Sequence, residues 1–174
     1  RHDGTFRREA ELALSIVNGE EQRLYSCAFS LAGSVDRLIL MIGSMQGPEP
    51  AVDNAQDRVR ELTKEGHGLR PKSLLVQLVL QLAQTMGAAE VLAVRKRAHV
   101  FQAKRYSSKQ KANLQADYDE LWQEFDARDV DANFVALQAQ PLEEIASKKR
   151  AMYRRRYEWL DLLVQEMNER FARQ

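Results

Sequence analysis

The residues best suited to chemistry form a short glycine-containing stretch, Gly66-His67-Gly68-Leu69-Arg70-Pro71-Lys72-Ser73, directly before an apolar helical segment. Glycines let an anion approach the backbone, and the start of a helix offers N–H groups that lack an intrahelical partner. Such a loop can hold a phosphate or pyrophosphate. We therefore predict an anion site whose members are Gly66, Gly68, Arg70, Lys72 and Ser73. The alternative is a plain turn between two helices, with Pro71 at the first helical position.

Two further residues could move protons at such a site. His99 follows a predicted strand, and Tyr106 lies seven residues later. An imidazole can act as a general base, and a tyrosine hydroxyl can protonate a leaving group. The alternative for His99 is a structural histidine at the end of a strand, and His67 has an equal claim to the role by its location. The three histidines show no spacing typical of metal ligands, so we expect no metal site.

Cations are concentrated in two blocks of a chain whose net charge is only +1. The first block spans residues 95–111 and begins with Arg95, Lys96 and Arg97, and the second is Lys148, Lys149, Arg150, Arg154, Arg155 and Arg156. Six cations in nine residues repel one another unless an anion screens them. The second block therefore predicts a clamp for an anionic ligand, a nucleic-acid contact or contact with an anionic membrane surface. The alternative is a solvated helix face balanced by Glu143, Glu144, Glu158 and Asp161.

The elements that would position these residues indicate a mixed α/β fold with a largely antiparallel sheet. Alternating and continuous apolar runs predict three strands of a meander, at residues 9–17, 22–32 and 36–46, with turns at Asn18-Gly19 and Gly33-Ser34. The later predicted elements are helices at 52–65 and 71–86, a strand at 90–94, a helix at 115–126, a strand at 133–138 and a helix from Pro141 to about residue 171. Gly87 is expected to end the second helix, and His99-Val100-Phe101 to extend or follow the strand at 90–94.

The composition predicts one globular domain over residues 1–174. Apolar residues make up 44% of the chain and charged residues 29%, which is sufficient for a packed core. The single cysteine, Cys27, allows no intrachain disulfide and is expected to be buried. No apolar run is long enough to cross a bilayer and no signal peptide is visible, so we expect a cytoplasmic protein.

Several stretches, taken in order, resemble the VirK/YbjX family. They are residues 24–30, 42–48, 62–64, 67–72, 99–100, 105–106, 117–119 with Trp122, and 147–157. The resemblance implies the C-terminal portion of a longer bacterial protein, associated with virulence and envelope resistance, and it brings no reaction with it. Family members tend to have Val-Ser-Asn where this chain has Val94-Arg95-Lys96-Arg97.

The order of elements is also similar to that of GNAT acyltransferases, in which a glycine-containing loop holds the pyrophosphate of an acyl-CoA. That resemblance implies an acyltransferase, or a protein that binds acyl-CoA or an acyl carrier protein, acting on a small or envelope-related metabolite. The loop at 66–73 would hold the cofactor, and His99 and Tyr106 would be catalytic. Pro71 departs from the pattern because it lacks a backbone N–H. The alternative is a non-catalytic adaptor or regulator that binds an anionic partner through its basic helix.

Overall fold

The computed structural model describes residue 6 and residues 8–102, 118–138 and 146–172. Within these residues six strands form one sheet. They are β1 (Leu12–Val17), β2 (Arg23–Ser34), β3 (Arg37–Gln46), β4 (Glu90–Val94), β5 (Arg128–Asp129) and β6 (Phe134–Ala136). Their order across the sheet is β1-β2-β3-β4-β6-β5, and neighbours are antiparallel except β3 and β4, which are parallel. The predicted largely antiparallel sheet is confirmed.

The helices complete a mixed α/β fold. They are α1 (Ala55–Glu65), α2 (Pro71–Thr85), α3 (Tyr118–Trp122) and α4 (Ser147–Ala172). Proline is tolerated at the start of α2 because the first N–H of a helix has no intrahelical partner. Gly87, with φ of 68°, follows the end of α2 in the left-handed conformation that glycine adopts without strain. α2 connects α1 to β4 and so completes the crossover between the parallel strands β3 and β4.

The core lies between the sheet and α2. Leu40 and Ile42 of β3 pack in one cluster with Leu75, Val76 and Val79 of α2, and all five are fully buried. Each such side chain stabilises the fold by about 1.5–3 kcal/mol relative to an exposed one. Cys27 belongs to the same cluster, and burial raises the pKa of its thiol well above the usual range. Its predicted burial is confirmed.

The first connection differs from the predicted two-residue turn at Asn18-Gly19. Val17 pairs with Arg23, so five residues join β1 to β2. The Asn18 side-chain oxygen accepts hydrogen bonds from the backbone N–H groups of Glu20 and Gln22, at 3.0 and 2.8 Å. Asn18 therefore organises a longer loop.

Three later segments also differ from prediction. The second turn lies at Val35-Asp36, because Gly33 and Ser34 still pair within the sheet. For the segment 99–101, the first of two predicted alternatives is wrong and the second holds: it follows β4 without extending it, within two short 3₁₀ turns, Lys96–Ala98 and Val100–Gln102. The short strand β5 was not predicted. Pro141, the predicted start of the last helix, lies outside the described residues.

Candidate functional site

The parallel strands β3 and β4 stop pairing before β3 ends. Ile42 and Ala93 are the last paired residues, whereas β3 continues to Gln46. Beyond that point the Tyr118 hydroxyl of α3 donates to the Met45 carbonyl oxygen at 3.1 Å and accepts from the Met45 N–H at 3.2 Å. The Tyr118 hydroxyl thus satisfies the Met45 N–H and carbonyl groups, which strand pairing leaves without a partner. This position, past the carboxyl ends of parallel strands, commonly binds ligands in α/β sheets.

Tyr118, Trp122 and His99 form what we call the strand-end cluster. The Trp122 Nε1–H donates to the carbonyl oxygen of Val94, the last residue of β4, at 2.9 Å. The His99 ring stacks on the Tyr118 ring with centroids 5.4 Å apart, and Tyr118 stacks in turn on Trp122 at 5.9 Å. Only 2% of His99 is exposed. The cluster therefore closes the ends of both parallel strands.

Burial sets the protonation of this cluster. It lowers the pKa of His99 to about 4 and raises the pKa of Tyr118 to about 12. At neutral pH a neutral imidazole therefore stacks on a neutral phenol. A neutral imidazole can accept a proton, but a substrate would first have to reach this covered ring. The role of His99 as a base stays a prediction, and Tyr106 lies outside the described residues.

The loop at 66–70 uses its backbone N–H groups internally. Four N–H groups donate to carbonyl oxygens at 2.7 to 3.2 Å, from Gly66 to Leu62, His67 to Lys64, Gly68 to Thr63 and Leu69 to Gly66. These bonds close the last turn of α1, as in other helix ends that finish on left-handed residues. The geometry of the loop is that of an interhelical turn. A phosphate held by these N–H groups would have to replace existing hydrogen bonds.

The side chains at the start of α2 already hold an anion from the chain itself. One Glu124 carboxylate oxygen pairs with the Arg70 guanidinium, and the other accepts a hydrogen bond from the Ser73 hydroxyl at 2.8 Å. A carboxylate is favoured here because a helix N-terminus carries partial positive charge. Glu124 therefore stands where the sequence predicts a phosphate. Lys72 of the same predicted set is partly buried beside them.

Arg156 of α4 covers the other side of the loop. Its Nε donates to the His67 carbonyl oxygen at 3.0 Å, and its guanidinium lies over the Tyr153 ring, 4.6 Å from the centroid. A Cβ on Gly68, whose φ is 81°, would lie 3.0 Å from the nearest Arg156 nitrogen. Arg156 thus belongs to the packing between α4 and the loop.

The other predicted cations lie in two separate places. Arg95, Lys96 and Arg97 follow the end of β4, and the Arg95 guanidinium pairs with Asp129. Lys148, Lys149, Arg150, Arg154 and Arg155 are exposed on the first half of α4. Lys148, Lys149, Arg154 and Arg155 cover more than one side of the helix within two turns, and this basic surface is called the basic face below. Among the described residues, no carboxylate oxygen lies within 4.0 Å of their side-chain nitrogens.

The second half of α4 fixes the helix to the body of the domain. Leu160 is 3% exposed and packs with Leu69 and Leu78, supported by Tyr157 and Leu163. Toward the start of α4, Arg156 and Met152 contact the loop at 66–70, and the side chains of the basic face are exposed. Of the predicted anion-binding residues, the structure therefore brings Arg156 of α4 beside Gly68 of the loop.

Sequence reasoning missed Glu124 as a partner of Arg70 and Ser73. The apolar pattern of Leu121, Trp122 and Phe125 predicted a buried helix face, and all three are buried. Nothing in that pattern distinguishes Glu124 from the other acidic residues of the segment. Asp119 of the same segment also has a buried carboxylate oxygen, Oδ1.

The described part of the chain has neither a cluster of metal ligands nor a membrane-spanning helix. No group of three or more His, Cys, Asp or Glu residues there could hold a metal ion. No helix there combines the length and apolar character needed to cross a membrane.

The fold and its strand-end cluster define a mixed α/β protein with a parallel strand pair closed by aromatic residues. The chain belongs to the DUF535 family, described as proteins of unknown function, and residues 1–169 match. It is 30% identical over 168 residues to the uncharacterized protein YbjX of Escherichia coli strain K12. It is 33% identical over 165 residues to an uncharacterized protein of Haemophilus influenzae. The resemblance to the VirK/YbjX family is confirmed.

These relatives are about twice as long as this chain. The matches cover 94% and 92% of the chain but only 50% and 53% of the Escherichia coli and Haemophilus influenzae proteins. A second Haemophilus influenzae protein, also uncharacterized, is 32% identical over 138 residues, which is 44% of its length. The chain thus spans about half the length of these curated relatives.

Proposed function

We propose that this chain binds an anionic partner through the basic face of α4. The observation that carries the proposal is the local charge balance. Four exposed cations, Lys148, Lys149, Arg154 and Arg155, have no carboxylate within salt-bridge distance among the described residues. The arginines of α1 provide the contrast, because Arg58 and Arg60 pair with acidic residues on their own helix.

The position of these cations on α4 supports the same proposal. Lys148 and Lys149 lie in the first turn of the helix, where the partial positive charge of the helix end repels cations. Arg154 and Arg155 add like charge within two turns. A bound anion would relieve both sources of repulsion. The resulting gain in binding free energy would fall as salt screens the charges.

A pair of double variants tests the proposal. Arg154→Gln with Arg155→Gln removes two charges from the basic face, and Arg58→Gln with Arg60→Gln removes two paired charges from α1. We expect the first double variant to weaken binding to an anionic probe about tenfold or more, and the second to change it little. Binding should also weaken as salt is raised.

Three probes distinguish the kinds of partner: a short DNA duplex, vesicles containing an anionic phospholipid, and coenzyme A. Neutral vesicles are the control for the lipid surface. The class of partner is indicated by the probe that binds most tightly and whose affinity falls most in the Arg154 and Arg155 double variant. Equal losses in both double variants would contradict the proposal, as would no binding to any of the probes at low salt.

An acyltransferase or acyl-carrier-binding function is the second candidate. The favouring observation is the order of elements, in which a loop and α2 join a meander to the parallel strand β4, as in GNAT acyltransferases. The pairing of Arg70 and Ser73 with Glu124 weakens this candidate. An acyl-CoA phosphate bound there would have to displace the Glu124 carboxylate.

Thermal unfolding tests the second candidate. Acetyl-CoA at about a hundred times its dissociation constant should raise the free energy of unfolding by roughly 2.7 kcal/mol. Glu124→Gln should strengthen the effect, because it removes the competing negative charge, and Arg70→Ala should abolish it. No stabilisation in either the wild type or Glu124→Gln would count against this candidate.

A further inference from the structure

The two halves of α4 carry opposite charges. Residues 148–156 contain six Lys or Arg and no acidic residue, whereas residues 157–169 contain four acidic residues and no Lys or Arg. Lys148 lies in the first turn of the helix and Glu169 in the last, so each end has the charge that the helix dipole disfavours. This order of charges weakens an isolated helix and therefore requires a reason outside it.

The acidic half of α4 is as unbalanced as the basic face. Glu158, Asp161 and Glu166 are exposed, and among the described residues no Lys or Arg nitrogen lies within 4.0 Å of their carboxylates. One helix thus presents both a basic and an acidic surface to solvent. A partner that matches both of them must itself carry the two charges in the reverse order.

A stripe of exposed residues on α4 also has the spacing of a helix-pairing seam. Its members recur at alternating intervals of three and four residues, which keeps one side of a helix toward a partner helix. They are Lys148, Ala151, Arg155, Glu158, Leu162 and Gln165, and all six are exposed. Leu162 is 62% exposed, the largest exposure of any leucine in the described core and surface of the chain. The seam therefore includes an apolar side chain that the domain itself leaves uncovered.

Two antiparallel copies of α4 match these features to one another. With a twofold axis between positions 156 and 157, Arg155 lies opposite the partner's Glu158, and Ala151 lies opposite the partner's Leu162. Arg154 and the partner's Asp161 lie along the same flank of the seam. Each contact occurs twice because a twofold interface is self-complementary. A parallel pair would instead set the basic half against the basic half.

We propose that the anionic partner of the basic face is a second copy of this chain, bound through the acidic half of its own α4. This inference rests on the proposed function, since it names the partner of the same surface. Antiparallel pairing brings acidic residues to the start of each helix, where the helix dipole favours them. Because the ion pairs are exposed, the dimer depends on protein concentration and dissociates as salt is raised.

Sedimentation velocity with exchanged charges tests the pairing. Arg154→Glu with Arg155→Glu makes both halves of the seam acidic, and Glu158→Lys with Asp161→Lys makes both halves basic. We expect the wild type to dimerise at low salt and each double variant to dimerise at least about tenfold more weakly. An equimolar mixture of the two variants should recover the wild-type affinity, because every exchanged charge then meets its opposite. Arg58→Gln with Arg60→Gln, on α1, is the matched control and should dimerise like the wild type.

Disulfide trapping tests the register separately from the affinity. Cys27 is buried and is the single cysteine of the chain, so Ala151→Cys and Leu162→Cys each add one exposed thiol. Positions 151 and 162 of two copies face each other in the antiparallel pair, whereas two positions 151 lie about 16 Å apart along the helix axis. A disulfide requires Cα atoms within about 7 Å. A mixture of the two variants should therefore crosslink under mild oxidation much faster than either variant alone.

Three results would overturn the inference. They are a wild type that stays monomeric at low salt, a mixture of charge-exchanged variants that associates no better than either variant alone, and cysteine variants that crosslink alone as fast as in the mixture. A monomeric chain whose basic face still binds one of the three anionic probes would overturn this inference alone. The proposed function is decided separately, by the loss of probe binding in Arg154→Gln with Arg155→Gln.

Discussion

Acid should destabilise this protein through His99 over a defined range of pH. Burial holds the pKa of His99 at about 4 in the folded chain, whereas an exposed histidine titrates near 6.5. Between these values the unfolded chain binds a proton that the folded chain does not, so the free energy of unfolding falls as the pH falls. At 1.36 kcal/mol per pKa unit, the total loss from this residue is about 3 kcal/mol, complete below about pH 4 and absent above about pH 7.

The comparison of wild type with His99→Phe isolates this effect. Phenylalanine keeps a flat ring against Tyr118 and removes the titrating group. Other groups, such as Glu9, whose pKa burial raises, contribute equally to both proteins and cancel in the difference. Urea unfolding should show the wild type losing about 2.5 kcal/mol more than the variant between about pH 7 and about pH 4.5.

The control uses a histidine in a different setting. His67 is exposed with φ of 51°, a conformation that asparagine tolerates, so His67→Asn replaces a histidine outside the strand-end cluster and serves as the matched control. His99→Asn serves as the second test if the phenylalanine variant does not fold. Parallel loss of stability in the wild type and in the His99 variant would refute the reasoning, because it would mean that burial of His99 does not control the acid response.

Two further substitutions test the packing around the loop at 66–70, both by urea unfolding at neutral pH. Glu124→Gln removes the charge that pairs with Arg70 and keeps an acceptor for Ser73. Because the pair is partly exposed, we expect the free energy of unfolding to fall by about 1 kcal/mol or less. An unchanged salt dependence of stability would contradict the pairing. Gly68→Ala should lower the free energy of unfolding by about 1–2 kcal/mol, because alanine is strained at positive φ and its Cβ would approach Arg156. A variant as stable as the wild type would show that the loop has another conformation.

Elements with strong local signals were predicted closely from the sequence. The apolar run of β3, the proline that begins α2 and the glycine that follows it each act within a few residues, and the predicted bounds differ from the observed ones by about one residue. The Asn18-Gly19 turn failed for an equally local reason. The Asn18 side chain bonds two nearby N–H groups, and this shapes a longer loop than the dipeptide alone predicts.

The candidate sites were less predictable because their defining contacts are distant in sequence. Arg70 meets Glu124 across 54 residues, and Arg156 meets His67 across 89. A charge pattern shows that cations and anions are present, but it does not show which of them pair. The sequence could therefore predict a basic helix and a loop before α2, but not that the loop is already occupied by side chains of the same chain.

This internal pairing indicates where an external anion would bind first. Glu124 is tethered beside Arg70 and Ser73, so a free phosphate competes there with a carboxylate of high effective concentration. The basic face has no such competitor among the described residues. A soluble anion should therefore bind the basic face before the start of α2, and Glu124→Gln should reduce that preference. The order of binding, measured in the same protein before and after this substitution, separates the two proposed functions more sharply than affinity alone.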